Sequence, residues 1–414
     1  MKIRVGVVFG GESVEHEVSV ISALQGIEAL DKERYEVIPL YISKQRDFYS
    51  SPALLDVENY KNLDELIQKA TPVVLVKKGK EVVVEPIKKG LFTKPIGTVD
   101  VIVPIMHGTN GEDGTIQGYL EMLKIPYAGC DVIGAAVGQD KVVMKHILQN
   151  SGLPVSPWFW LSGHEFAQKQ EAVLAQVHEL GYPVVMKPAC LGSSVGITIA
   201  HNDEEFIAGV EDARQYDNKI VVEQMVKNLR EINCSVLGSC FDCQASVLEE
   251  VGKQDEIMSF KDKYLGFEDK YPTKGGSKGG VKCGTKSGDG GMASAARIVP
   301  APVDEATTEK IRNLAIETFK VLGASGVCRI DFMMDGDTGM IYVNEINTIP
   351  GSLAYYLWQP VGVSFTQLMD RLVSQAIDRQ RRREKMIFSY ETNLLASYSA
   401  NKNNSGTKGT KGTK

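Results

Sequence analysis

Near the C-terminal end, two apolar runs each carry polar groups two residues apart, Arg329-Ile330-Asp331 and Glu345-Ile346-Asn347, and the stretch between them includes Asp335-Gly336-Asp337-Thr338-Gly339. Residues i and i+2 of a strand share one face, and a segment this rich in Asp and Gly makes a turn. The spacing therefore predicts a hairpin with Arg329, Asp331, Glu345 and Asn347 on one side, and a register centred on the turn brings Asp331 roughly opposite Glu345. Two carboxylates, an amide and a guanidinium are costly on a packed face unless a cation sits among them. An all-oxygen donor set suits Mg²⁺, which takes waters and phosphate oxygens as its other ligands. On these residues alone, the solvent face of an antiparallel pair is an equally good description.

With 414 residues, 43% hydrophobic and 24% charged, the chain is long enough to enclose such a hairpin in two or three globular domains. A formal net charge of −6 argues against nucleic acid or an anionic membrane as the main partner. No apolar run is long enough to span a bilayer, and Met1-Lys2 leads directly into a strand-like stretch, so a cytoplasmic protein is expected. Seven cysteines with a single C-x-x-C pair, Cys240 and Cys243, and no nearby histidine point to reduced structural thiols, not zinc.

Along the chain, strand patterns at 3–9, 35–42 and 99–106 and a helical pattern at 17–30 predict parallel βαβ construction. The pattern pauses at Pro126-Tyr127-Ala128-Gly129, and one helix is expected from about 131 to 149. A middle α+β unit follows, with strands at 154–160, 183–187 and 195–200 and helices at 165–180 and from 203. The last section predicts strands at 231–237, 245–250, 327–334 and 340–346 and helices at 305–322 and 364–380. Residues 273–292 and 401–414 are low in complexity and are expected to be mobile, the first as a lid or as a tolerated insertion.

Gly192-Ser193-Ser194-Val195-Gly196 lies between two of the middle strands, with Lys187 at the end of the first. Small residues let backbone N–H groups approach anionic oxygens and the lysine adds charge, although many strand connections have this composition. Neither G-x-x-x-x-G-K-[ST] nor a G-x-G-x-x-G opening a helix occurs, so a nucleotide would have to be held by another design. Residues 10–17 and 107–114 each follow a strand at the edge where open α/β sheets place ligands. The first is acidic enough either to complement a helix dipole or to hold an ammonium group. His107, in the second, reads as a scaffold residue or a proton carrier.

In order, residues 10–19, 107–118, 139–141, Lys187 with 192–196, Glu223, Glu231, Lys263-Tyr264, 329–331 and 344–351 resemble the D-alanine–D-alanine ligases of the ATP-grasp superfamily, over about residues 2–379. The resemblance implies α/β and α+β architecture: an ATP-grasp fold with an N-terminal parallel-sheet, Rossmann-like domain. Its expected divisions are a substrate-binding domain at 1–129, a small ATP-grasp domain at 130–226, a C-terminal ATP-grasp domain with the metal site and lid at 227–385, and a flexible tail at 386–414. It implies ATP with Mg²⁺, or Mn²⁺ in its place, an acyl-phosphate intermediate, and a homodimer. Carried onto this sequence, Asp331, Glu345 and Asn347 resemble the metal ligands, Lys141 and Lys187 the phosphate lysines, and Lys263 a residue near the transferred phosphate. Glu223 would accept from the adenine amino group, Glu231 would bind ribose, Met333 would line the adenine slot, and Ser194 and Val226 join the nucleotide-binding set. Glu15, linked to Ser193 and Tyr264, resembles the residue that receives the first D-alanine's ammonium; Arg329 and the N–H of Gly351 resemble the oxyanion donors. His107 is grouped with the substrate residues.

After Pro350-Gly351 the sequence departs from the family pattern, because Tyr356 falls where a serine binds the second substrate's carboxylate. A hydrogen bond from that phenol or from Ser352 is the expectation, with aromatic packing as the other reading. The leading expectation is ATP-dependent synthesis of D-alanyl-D-alanine for peptidoglycan precursors. A ligase with another acceptor such as D-serine, or a non-catalytic ATP-binding regulator, is the alternative.

Overall fold

Valine- and isoleucine-rich runs, buried on both faces, build the first sheet of the computed structural model, which describes residues 2–88, 90, 93–192, 195–252, 297–390, 395 and 398. Its strands are β1 (Ile3–Gly10), β2 (Tyr35–Ile42), β3 (Phe48–Ser50), β4 (Thr71–Lys78), β5 (Glu81–Pro86), β6 (Gly97–Val99) and β7 (Val101–Ile105), in the order β6-β5-β4-β3-β2-β1-β7. Only β1 is flanked by parallel neighbours, β2 and β7; β2 to β6 pair antiparallel. The sheet is thus mixed where the βαβ pattern predicted a parallel one. That pattern covered only strands joined through α1 (His16–Ala29), while residues 43–47 turn the chain straight back, with Ser43 N donating to Asp47 O at 2.9 Å.

A four-stranded antiparallel sheet follows, made of β8 (Trp158–Ser162), β9 (Val184–Pro188), β10 (Thr198–Ala200) and β11 (Lys219–Gln224) in the order β10-β9-β11-β8. The expected strand from Pro154 begins only at Trp158. Pro154 and Pro157 bring no N–H to a ladder, and their carbonyls instead accept from Val343 N at 2.8 Å and Gln224 N at 3.0 Å. Residues 131–149 form not one helix but two, α4 (Val132–Gln139) and α5 (Lys141–Asn150). Asp140 leaves the helical region (φ −84°, ψ 100°) and its carboxylate accepts from Val142 N at 3.0 Å and Val143 N at 3.1 Å, the N-cap role that aspartate favours.

The third sheet, also antiparallel, comprises β12 (Leu229–Ser239), β13 (Asp242–Val251), β14 (Arg297–Ile298), β15 (Ser325–Asp335) and β16 (Ile341–Asn347), ordered β14-β13-β12-β15-β16. Alternation along β15 sorts its faces. Cys328, Ile330 and Phe332 are buried with Ile311, Ala315 and Phe319 of the helix Glu305–Val321, which leaves Arg329, Asp331 and Met333 on the opposite face. A separate core joins Val5, Val7 and Phe9 of β1 to Val327, Leu353, Trp358 and the helix Phe365–Arg383, fastening the first sheet to the third. The segments 273–292 and 401–414, expected to be mobile, lie outside the described residues.

Candidate active site between the antiparallel sheets

The hairpin forms, and a β-bulge between Asp331 and Phe332 shifts its register by one residue, so that Asp331 lies opposite Glu345 and Arg329 opposite Asn347. Across the sheet, Glu249, Asn233, Asp331 and Glu345 form one row over four strands. Facing it, the second sheet contributes Val185, Lys187, Ile197, Ile199 and Glu223, and the space between the two sheets is a cleft also lined by Lys141, Gly192, Val195, Val226, Glu231 and Met333. The predicted nucleotide residues that are described thus share one cavity with Asp331 and Glu345. Ser193, Ser194, Lys263 and Tyr264 lie outside the described residues, but the flanking Gly192 and Val195 reach the cleft wall.

Lys141 comes to the cleft because α5 starts where Asp140 ends α4, and its N–H donates to Ala189 O at 3.0 Å, next to the end of β9. Its ammonium donates to Leu191 O at 2.7 Å and stands 3.4 Å from Glu345. Arg329 is bidentate on Asp331, at 2.7 Å through both Nε and Nη2, and Asn347 Nδ2 donates to the same carboxylate at 3.0 Å. Two carboxylates on neighbouring strands with an amide beside them fit a hard divalent cation that completes its shell with phosphate oxygens. Among the described residues no set of three or more His, Cys, Asp or Glu could hold a metal by itself.

Glu223 is 1% exposed and is the electrostatic centre of the cleft floor. Ser156 Oγ donates to it at 2.8 Å, Lys187 lies 2.5 Å from its Oε2, and the ammonium of Lys145 meets Oε1. Burial alone would raise its pKa, but the two ammonium groups hold it well below the ordinary carboxylate value. Lys145 was not singled out in the sequence; its spacing of four from Lys141 on an amphipathic helix was the available signal.

At the edge of the first sheet Glu15 is buried, and its carboxylate lies against Gly108 and Gly192, where an added Cβ would meet it at 2.8 and 3.3 Å. Gly108 also has φ +70°, so the close approach and the backbone both require glycine there. His107 is a strut: Nδ1 meets Ile349 O at 2.7 Å and Nε2 meets Ser22 Oγ at 2.9 Å. Burial lowers its pKa, so the imidazole is held neutral between its two partners. Glu112, which the sequence reading included in the 107–118 stretch without giving it a role, accepts from Gly108 N at 2.9 Å, Ile349 N at 2.8 Å and Thr348 Oγ1 at 3.3 Å, so it ties the loop after β7 to the loop after β16. Burial, with Glu15 nearby, pushes its carboxyl up to about 7. Because the folded state holds this proton more tightly than the unfolded chain does, stability is expected to fall as pH rises from about 4.5 through about 7 and to level off above. Glu112→Gln should flatten that slope in thermal melts recorded across the same range.

The turn after Gly351 places Ser352, Leu353 and Ala354 in the left-handed region, with φ of 51°, 53° and 49°. Non-glycine residues there carry strain, held by Ser352 N donating to Ser22 Oγ at 2.9 Å and by burial of Leu353 and Ala354. The turn brings Tyr356 to Glu249. Its hydroxyl donates to Glu249 Oε2 at 2.9 Å and accepts from Arg297 Nη1 at 3.2 Å. In this structure the phenol proton is therefore directed at a buried carboxylate.

The family description "D-ala D-ala ligase N-terminus" matches residues 4–130, and "D-ala D-ala ligase C-terminus" matches 147–274 and 286–374. A D-alanine–D-alanine ligase of Thermosipho melanesiensis is 37% identical over 397 residues, covering 95% of this chain and 98% of that relative. One from a Thermoanaerobacter species is 36% identical over 386 residues, covering 91% and 97%. Among solved structures, the D-alanine-D-alanine ligase from Coxiella burnetii superimposes with a TM-score of 0.73 at 27% identity, covering 97% of this chain and 99% of that one. VanG D-Ala:D-Ser ligase from Enterococcus faecalis gives 0.72 at 27%, covering 91% and 100%.

Proposed function

The chain belongs to the D-alanine–D-alanine ligase family, and from that premise and the geometry of the cleft we infer that it joins two D-alanine molecules into D-alanyl-D-alanine, a peptidoglycan precursor, at the expense of ATP. The fold is ATP-grasp, preceded by a mixed α/β sheet. The reading rests on one observation above others: the row containing Asp331 and Glu345 opens into a cleft that also receives Lys141, Lys187, Glu223 and Glu231.

A carboxylate is a poor acyl donor, so the first D-alanine is activated by taking the γ-phosphoryl group of ATP, which makes its carboxyl an acyl phosphate with a good leaving group. The amine of the second D-alanine then attacks the carbonyl carbon and phosphate departs. Phosphoryl transfer requires positioning and neutralisation of charge more than covalent help. Lys141 and Lys187 are suited to bind phosphate oxygens, with Lys263 beside the transferred group. Mg²⁺, or Mn²⁺, held by Asp331, Glu345 and Asn347, would supply further neutralisation. Glu223 would accept from the adenine amino group and Glu231 from the ribose, with Met333 and Val226 against the ring and Ser194 in the phosphate loop.

Glu15 would bind the first substrate's ammonium, and the family resemblance adds Ser193 and Tyr264 to its role. Arg329 and the N–H of Gly351 are suited to stabilise the oxyanion of the tetrahedral intermediate, a contribution of about 3–4 kcal/mol for such a donor. His107 acts through the loop it braces. For the second substrate's carboxylate, Ser352 remains as a hydroxyl donor, and Tyr356 shapes the pocket through Glu249. The domain divisions proposed are 1–129, 130–226, 227–385 and a tail at 386–414. Family membership also supports a cytoplasmic homodimer, for which sedimentation at twice the chain mass is the check. No helix among the described residues is long and apolar enough to cross a membrane.

Phosphate release from ATP tests the function directly. It should require D-alanine and Mg²⁺ and should yield D-alanyl-D-alanine in equal amount. Release without any D-amino acid, or none with D-alanine present, would remove the assignment.

A further inference from the structure

Lys145 is the most deeply buried lysine among the described residues, at 1% exposure, and its ammonium lies against an equally buried carboxylate. It is set one helical turn after Lys141 on α5, yet Lys141 lines the cleft and Lys145 does not. It stands behind Glu223, which does line the cleft, with the Trp158 ring 6.0 Å away. Glu223 therefore has a fixed side and an open side. On the fixed side Oε1 takes the ammonium of Lys145 and the hydroxyl of Ser156 at 2.8 Å. On the open side Oε2 takes Lys187 at 2.5 Å, while Lys187 also donates to Asn344 Oδ1 at 3.1 Å.

Two ammonium groups share one carboxylate, and Glu231 and Glu345 in the same cleft also act on Lys187. Lys187 borders the cleft and is the member an arriving polyphosphate can draw away; Lys145 has no path to the ligand. If Lys187 moved without Lys145 in place, Glu223 would remain as a buried anion with no counter-ion, which is strongly unfavourable. With Lys145 in place, the departure leaves a neutral pair and frees one oxygen of a residue that lines the cleft. An N–H donor suits that oxygen, and a carbonyl at the same position of a base would be repelled by it.

We propose that Lys145 is a positioning residue for nucleotide selection: fixed on one oxygen of Glu223, it keeps that carboxylate charged and oriented while Lys187 leaves the other oxygen for the ATP phosphates and the 6-amino group of adenine takes its place. This rests on the reading of Glu223 and Lys187 as nucleotide residues.

The test compares ATP with purine riboside triphosphate, which lacks the 6-amino group, in D-alanine-dependent phosphate release by the full-length chain. The wild type should favour ATP in kcat/KM by about 10- to 100-fold, the range of one hydrogen bond to a charged group. Lys145→Met should raise KM for ATP about tenfold with kcat changed far less, and should bring the ratio between the two nucleotides close to one. Lys145→Arg, which keeps a paired charge, should retain most of the preference; Lys145→Gln carries the same expectation as Met should the Met variant fail to fold. Equal losses for both nucleotides with the ratio preserved would mean that Lys145 only supports packing, and unchanged kinetics would likewise overturn the proposal. A wild type that uses both nucleotides equally would overturn the adenine role of Glu223 together with the proposal, an outcome distinct from failure of the Lys145 argument alone.

Discussion

Asp331→Asn is expected to lower kcat by about 10²- to 10³-fold, the effect of removing one well-placed electrostatic partner of a transition state, while far-UV circular dichroism stays that of the wild type. The side chain is the junction of the hairpin. It faces Glu345 on the next strand, takes both arms of Arg329 at 2.7 Å and accepts from Asn347 at 3.0 Å. An amide of the same size keeps the shape but removes the charge that a divalent cation needs and that orients the guanidinium. The loss should therefore fall on kcat and on the Mg²⁺ concentration needed for half-maximal rate, more than on KM for D-alanine. Glu345→Gln should behave alike, through loss of the second carboxylate and of the partner 3.4 Å from Lys141. Ordinary turnover in either variant would sink the metal assignment.

For stability, the largest expected effect is at Glu223. Glu223→Leu removes the shared anion from Lys145 and Lys187 and leaves two buried ammonium groups facing each other. Breaking a buried pair by deleting one partner costs about 3–5 kcal/mol, which corresponds to a fall of about 12–40 °C in the melting temperature of a unit of about 100 residues. The sign with pH follows from the direction of the shift. The carboxyl is held well below its ordinary 4.5 in the folded state, so its stabilisation is present above about 4.5 and is lost progressively as pH falls below that value. The gap between wild type and variant should be full near neutrality and narrow under acid conditions. A constant gap from neutral pH to about pH 3 would show that the deletion acts through packing, not charge.

Much of the hairpin was legible because its information is local. Period-two polarity in 329–331 and 345–347 and the Asp-Gly turn between them mark the hairpin and its polar face, but the exact pairing of Asp331 with Glu345 depends on a β-bulge between Asp331 and Phe332 that no local signal announced. Residues 48–99 were not legible, since their short strands lack a helix between them and carry no βαβ signature, yet they supply four of the seven strands of the first sheet. The break at Asp140 was missed because the apolar pattern continues across it; only the capping preference of aspartate marks it. Glu112, Lys145 and Glu249 were given no role for a further reason. Each is a charged residue in a sequence context that a solvated helix, loop or strand would share, and only burial against distant elements gives it a role.

Taken alone, then, the amino-acid sequence determined the order of most elements around the cleft, the polar face of the C-terminal hairpin, and the family resemblance that the residues of the cleft carry. Those features depend on side-chain period, turn chemistry and spacing within short segments. Tertiary structure decided the pairings: Lys145 and Lys187 on Glu223, Arg329 on Asp331, Glu112 between the loops after β7 and β16, and the phenol of Tyr356 on Glu249. Such partners lie on separate strands, helices and loops, and a charge finds its counter-ion only when packing has excluded the water that would otherwise solvate both.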